Sequence, residues 1–154
     1  MVTGIIITIL AFFGMEFMAW FTHKYVMHGI MWHFHSDHHK KDHDSWFERN
    51  DIFFLIYATP GSLLMISGIV SDFDFKFFTG LGITLYGFAY FVVHDIFIHQ
   101  RFKIFRDTKN SYFLALRKAH KAHHKVIEKE HGVCFGMLLV PKKYYLEAQK
   151  ILNR

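Results

Sequence analysis

Charged residues fall in blocks along this 154-residue chain, and three long stretches between the blocks carry almost none. Met1 to Phe21 holds one charge, Glu16, while Ile52 to Val70 and Phe77 to Val93 hold none. A helix rising about 1.5 Å per residue crosses the roughly 30 Å hydrocarbon core in about 20 residues. Each stretch is long enough to span, so the pattern predicts an all-α integral membrane fold, a single domain over residues 1–154. The first stretch has no basic leader and no small-residue cleavage site, which predicts a retained helix rather than a signal peptide. Pro60-Gly61 in the second predicts a kink or a break there. Gly80, Gly82 and Gly87 in the third would allow close helix packing, unless Gly80 and Gly82 simply mark where the helix starts. Ser71 to Lys76 is a short polar turn. Val133 to Val140 is apolar but too short for a helical crossing. It reads as a re-entrant or docked segment closing over a site and bounded by Pro141, giving three to four membrane-associated segments in all. Lys142 to Arg154 reads as a short amphipathic tail at the surface.

The polar blocks add a topology. Spans two and three go out and back, so residues 22–51 and everything from His94 onward fall on one side of the membrane. Of the 18 Lys and Arg only Lys76 lies opposite, with Asp72 and Asp74. The positive-inside rule then makes the densely charged side cytoplasmic. The net charge of +5 is thereby a matter of orientation in a bilayer, and the spans exclude a basic nucleic-acid binder. Trp20, Tyr25, Trp32 and Trp46 are placed as an interfacial aromatic belt. Glu16 lies seven residues before His23, on the same helix face. It either faces a protein interior or snorkels to the interface. The single cysteine, Cys134, excludes an intrachain disulfide and a thiol redox pair.

Histidine carries the chemistry. Seven of the thirteen histidines lie between His23 and His43 and six between His94 and His131, with none in the 50 residues between. His35, His38 and His39 share the spacing i, i+3, i+4 with His120, His123 and His124, so on a helix each triplet projects from one stripe. Convergent neutral imidazoles suit a transition metal. The pairs His23/His28 and His94/His99 precede the triplets at spacing i, i+5, about 140° apart on an ideal helix. They converge only if the helix ends, bulges or unwinds between them. Ten imidazoles are too many for one ion, whereas two six-coordinate ions offer about twelve positions and would keep roughly two for water or oxygen. His33, His43 and His131 fall outside the motifs and read as surface or structural. Asp37 and Asp95 adjoin motif histidines and could orient their rings, although plain surface charge is the simpler reading of both.

The order HX4H, HX2HH, HX4H, HX2HH resembles that of the bacterial β-carotene hydroxylases, within the membrane fatty-acid hydroxylase/desaturase superfamily. Asn50-Asp51-Ile52-Phe53, His94-Asp95, His99-Gln100-Arg101, Ala119-His120 and Phe135-Gly136 add to the likeness, which covers residues 15 to 145. The resemblance implies O2-dependent hydroxylation at C3 of a β-ionone ring, taking β-carotene through β-cryptoxanthin to zeaxanthin. It implies two iron ions held by His23, His28, His35, His38, His39, His94, His99, His120, His123 and His124 on cytoplasmic helices. It further implies a carotenoid drawn from the bilayer and electrons from reduced ferredoxin or a similar donor, in a bacterial inner membrane. The chain has no flavin or nicotinamide motif and no cysteine set for an iron–sulfur cluster, so the donor must be separate. The alternatives are a fatty acyl or sterol hydroxylase/desaturase of the same superfamily and a non-catalytic metal-binding membrane protein.

Overall fold

A computed structural model describes residues 1–153, whose regular structure is entirely helical. Helix α1 (Val2–Phe21) continues into a wider, π-helical stretch over Thr22–Ile30, and α2 (Trp32–His39) follows. One 3₁₀ turn (Arg49–Asp51) leads into α3 (Ile52–Val70). Helix α4 (Phe75–Tyr90) also widens, over Phe91–Ile98, before α5 (Ser111–His124) and α6 (Lys142–Leu152). The three continuous apolar helices, Val2–Ile30, Arg49–Val70 and Phe75–Ile98, contain 29, 22 and 24 residues. Large apolar side chains on them point outward, including Phe13, Phe17, Phe54, Leu63, Ile66 and Phe88, as lipid-facing surfaces do.

The ends of the helices follow from local chemistry. Asp74 caps α4 by accepting from the Lys76 N–H at 2.9 Å. Asn110 caps α5 by accepting from the N–H groups of Tyr112 and Phe113 at 2.9 and 3.2 Å. Of the kink or break expected at Pro60, the break does not occur, and α3 continues through it. Proline in a membrane helix is tolerated where neighbouring groups satisfy the backbone. Here α4 lies tightly alongside at that level.

Glycine accounts for that closeness. A Cβ at Gly80 would stand 2.6 Å from the Gly61 carbonyl of α3, and one at Gly82 2.5 Å from the Thr8 carbonyl of α1. Gly80 and Gly82 are thus packing positions and not merely the start of a helix. α4 is the central span, with α1 and α3 on either side. Gly87, one turn further, has open space where a Cβ would stand. It lines a cavity left between α1 and α3 on the histidine side of the spans.

Residues 133–140 form no helix. They form an irregular strap packed against α1. The α1 carboxylate Glu16, 6% exposed, accepts from the N–H groups of Met137, Leu138 and Leu139 at 3.1, 2.9 and 3.0 Å through Oε1. Its Oε2 accepts from the Tyr86 hydroxyl at 2.7 Å. Glu16 therefore faces the protein interior and does not snorkel. Strap residues need acceptors they cannot find in a helix or sheet, and a buried carboxylate supplies them. Beyond the strap, α6 is the amphipathic tail, burying Tyr144 and Ala148 against Ala115 and Ala119 of α5.

Candidate metal centre

The two widened stretches explain the i, i+5 pairs. In a π-helix the N–H of residue i+5 bonds the carbonyl of residue i, which brings i and i+5 to the same side. His99 N–H donates to the His94 carbonyl at 2.8 Å, and Met31 N–H to the Val26 carbonyl at 2.8 Å. Both pairs thereby face inward just where the spans leave the apolar layer. Gly29, with φ −117° and ψ −118°, then turns the chain into α2.

All ten motif histidines come together, in two groups of five. His23, His28, His35, His39 and His123 form the first, with one nitrogen of each within 4.8 Å of the others. His38, His94, His99 and His120 form the second by the same measure. His124 is counted with it on three close neighbours against one, its ring centroid being 4.7, 4.8 and 4.5 Å from those of His38, His99 and His120 and 4.7 Å from that of His39 in the first group. The groups do not follow the sequence repeat. His123 of the second half completes the first group, and His38 of the first half completes the second.

Every ring of the first group is held at Nδ1 by a neutral acceptor. Backbone carbonyls of Phe135, Lys129, Val126 and Val133 accept from His23, His28, His39 and His123 at 3.1, 2.9, 2.8 and 2.7 Å. The side-chain carbonyl of Asn50 accepts from His35 at 2.7 Å. In the second group two of the five rings rest on carboxylates: Glu48 accepts from His38 at 2.8 Å and Asp95 from His94 at 3.3 Å. Arg101 ties these together, 3.1 Å from Glu48, 2.8 Å from Asp51 and 3.1 Å from Asp95.

A carbonyl can only accept, so these Nδ1 atoms carry the proton and the Nε2 atoms present bare lone pairs. Yet Nε2 of His28 lies 3.1 Å from that of His39 and 3.3 Å from that of His123. His35 Nε2 is 3.1 Å from those of His23 and His39. Lone pairs facing one another at such distances repel unless a cation lies between them. Two nitrogens about 2.1 Å from one ion at right angles would stand about 3.0 Å apart, close to what is found. In the second group His124 Nε2 is buried without a partner. The donor set fits two metal ions.

Electrostatics point the same way. Burial pushes the imidazoles outside the spans down, His39 to about 4, His123 and His124 to about 3 and His35 to about 2. His38, His99 and His120 are also pushed well below the usual value, by burial first and by neighbouring histidines next. Neutral rings are the metal-binding form.

Asp37 is 1% exposed and not surface charge. It accepts from the Arg49 N–H at 2.6 Å and from the non-motif His43 at 3.3 Å. Burial raises its carboxyl, but these Arg49 and His43 bonds outweigh that and leave it below the usual range. Asp95 does touch His94, as the orienting alternative held. Glu48 and Asn50 are ring partners to which the histidine spacing does not point. Trp32 belongs less to a belt than to the site, with its ring 5.0, 5.9 and 5.4 Å from those of His28, His35 and His39. His33 and His131 are exposed.

Residues 8–140 match the fatty acid hydroxylase family. The chain belongs to that family. Among curated proteins of known name, it is 36% identical over 148 residues to a beta-carotene hydroxylase of Pseudescherichia vulneris, covering 96% of this chain and 83% of the relative. It is 38% identical over 135 residues to the beta-carotene hydroxylase of Pantoea ananas, covering 88% and 76%. A chloroplastic beta-carotene 3-hydroxylase of an Oncidium hybrid cultivar is 40% identical over 133 residues, covering 84% of this chain and 43% of that longer protein. No solved structure matches the chain significantly. Membership in a hydroxylase family makes the chain an oxidoreductase, and the ten histidines are the donor set in it that could serve oxidative chemistry.

Next to both groups lies the cavity between α1 and α3, of about 560 Å³. Its walls are mostly apolar, with Met15, Phe53, Phe54, Ile83 and Phe91 among them, and Gly87 leaves it wide at one side. His23 from the first group and His94 from the second both reach its surface. A hydrogen bond between the Thr22 and Tyr57 hydroxyls links α1 to α3 across it.

Proposed function

We propose that the chain is a membrane-embedded carotenoid hydroxylase that adds a hydroxyl group at C3 of β-ionone rings, converting β-carotene to β-cryptoxanthin and then zeaxanthin. The observation that carries this reading is the extended similarity to beta-carotene hydroxylases from bacteria and plants. An apolar cavity touching one histidine of each group agrees with it. A cavity of this size lies in the usual range of ligand pockets. It suits one ring and the start of a polyene, with the remainder of a C40 hydrocarbon left among the spans.

The ten motif histidines hold two iron ions in this reading, and the bound pair supplies the activation of O2. The C3–H bond is replaced by C3–O, and the second oxygen atom leaves as water with two electrons and two protons. The chain's own residues do the rest. Carbonyls of 126–135, Asn50, Glu48 and Asp95 hold the rings in one tautomer with Nε2 inward. Phe53, Phe54 and Met137 keep water from the ring-binding cavity. Glu16 fixes the strap that roofs it. The electrons come from reduced ferredoxin or a similar carrier, for which the exposed Lys121 of α5 and Lys125 just beyond it offer a basic approach. The histidines face the cytoplasm and the spans lie in a bacterial inner membrane, as the charge bias implies.

Pigment analysis of β-carotene-producing cells, with and without this chain, tests the reading. Zeaxanthin and cryptoxanthin in the expressing cells alone are expected. Unchanged β-carotene beside membrane-inserted, iron-loaded protein would favour a fatty acyl or sterol substrate instead.

A further inference from the structure

We propose that the two histidine groups are unequal metal sites: the carboxylate-backed group (His38, His94, His99, His120, His124) holds its ion more tightly and fills first. The carbonyl-backed group (His23, His28, His35, His39, His123) is the weaker, exchangeable one. The inference rests on the reading of the ten histidines as ligands of two ions.

The argument is about what stands behind each ring. An imidazole whose N–H is accepted by a carboxylate gains basicity at its other nitrogen, and partners of this kind typically change metal affinity by about 10–100-fold. The second group has two such rings, His38 on Glu48 at 2.8 Å and His94 on Asp95 at 3.3 Å. Among the described residues no carboxylate accepts a hydrogen bond from a ring of the first group; its five Nδ1 atoms meet four backbone carbonyls and one amide.

The field of the surroundings adds to the difference. Glu48, Asp51 and Asp95 share one guanidinium, Arg101, so the second group lies beside a net negative cluster that favours a nearby cation. Arg101 is only 14% exposed at its side chain, which keeps that cluster assembled and largely out of the screening solvent. Arg101 is a positioning residue here, acting through Glu48 and Asp95. The supports also differ in origin. The second group's acceptors are side chains beside α3 and on the widened end of α4. Four of the first group's acceptors come from one irregular stretch, residues 126–135, which must fold onto the rings before it can orient them.

Chelator titration of the detergent-solubilised full chain, loaded anaerobically with Fe(II), tests the proposal by counting bound iron. Two equivalents leaving in two steps, separated by about tenfold or more in chelator concentration, are expected. Glu48→Gln and Asp95→Asn should each move the tight step down by about 10–100-fold and leave the loose step in place. Asn50→Asp should tighten the loose step by putting a carboxylate on His35. Coincident release of both equivalents from the native chain would overturn the proposal whatever the variants do. So would Glu48→Gln or Asp95→Asn shifting the loose step alone. Fewer than two equivalents bound at saturation by folded protein would instead remove the two-ion reading on which the proposal rests.

Discussion

Five imidazoles gather in each half of the site, yet the two halves are built differently. In the first, four rings are held by the backbone of a loop. In the second, two rings are held by carboxylates locked to an arginine. The backbone option explains why residues 126–135 adopt neither helix nor strand: their carbonyls are committed to histidines, and a regular element would have consumed them. The carboxylate option demands charge at low exposure, which Arg101 stabilises. Identical ligands therefore come with one support that can loosen with a loop and one tied into packed helix ends.

The sharpest way to break this comparison is to remove one ring from each half. His123→Ala and His38→Ala should each abolish product formation while leaving membrane insertion intact, and each should cost one iron equivalent, from the first and second group respectively. Turnover retained in both variants would sink the ligand assignment. Smaller, and confined to the first half, is the effect of freeing the strap. Glu16→Ala deletes the acceptor of three backbone N–H groups and one hydroxyl. A loss of about 2–3 kcal/mol is expected for such charge-assisted bonds. Hydrogen exchange should quicken across residues 126–139, with the second group's iron retained; unaltered exchange would show that the strap stands without its carboxylate.

Acid should act on both halves of the metal-free protein. Folded, His39 is held down to about 4 and His123 and His124 to about 3 by burial. Unfolded, they take up protons near 6.5. The unfolded state thus binds more protons in this window, so stability is fully present above about pH 6.5 and falls as the pH drops toward 4 and 3. A thermal midpoint that did not decline between about pH 7 and about pH 5 would contradict this. The smallest effect belongs to His43→Ala, whose hydrogen bond goes to Asp37 and which lies in neither histidine group. Activity within about twofold of the native chain is expected, because Arg49 still holds Asp37 through its N–H and its guanidinium and a pair with one partly exposed partner contributes little.

Much of this was legible in the sequence. Three apolar stretches and the histidine spacing were enough to place the spans and pick out the ten rings that converge. The i, i+5 pairs even required a departure from the α-helix, and the π-helical widening at His23–His28 and His94–His99 is that departure. The supports were not legible. Glu48 lies ten residues from His38 and Asn50 fifteen from His35, with no periodicity linking them. Carbonyl partners have no side-chain signature at all. Asp37 misled because adjacency in sequence to His38 sends its side chain to another face of α2, where Arg49 and His43 wait. Pro60 does not break α3, because the breaking rule assumes water, whereas here a glycine-lined neighbour lies against the helix.

The exchange of His38 and His123 between the halves bears on the order of events during synthesis. The first four rings of one group emerge early, all within residues 23–39, but their fifth partner and all four carbonyls that steady their neighbours come after residue 122. The other group waits for His120 and His124. On the proposed ligand assignment, neither pocket can be finished while the chain is less than about four-fifths made. Iron would then be captured only after all three spans have been threaded into the bilayer, and its arrival would lock the first span and its trailing helix to the last third of the chain.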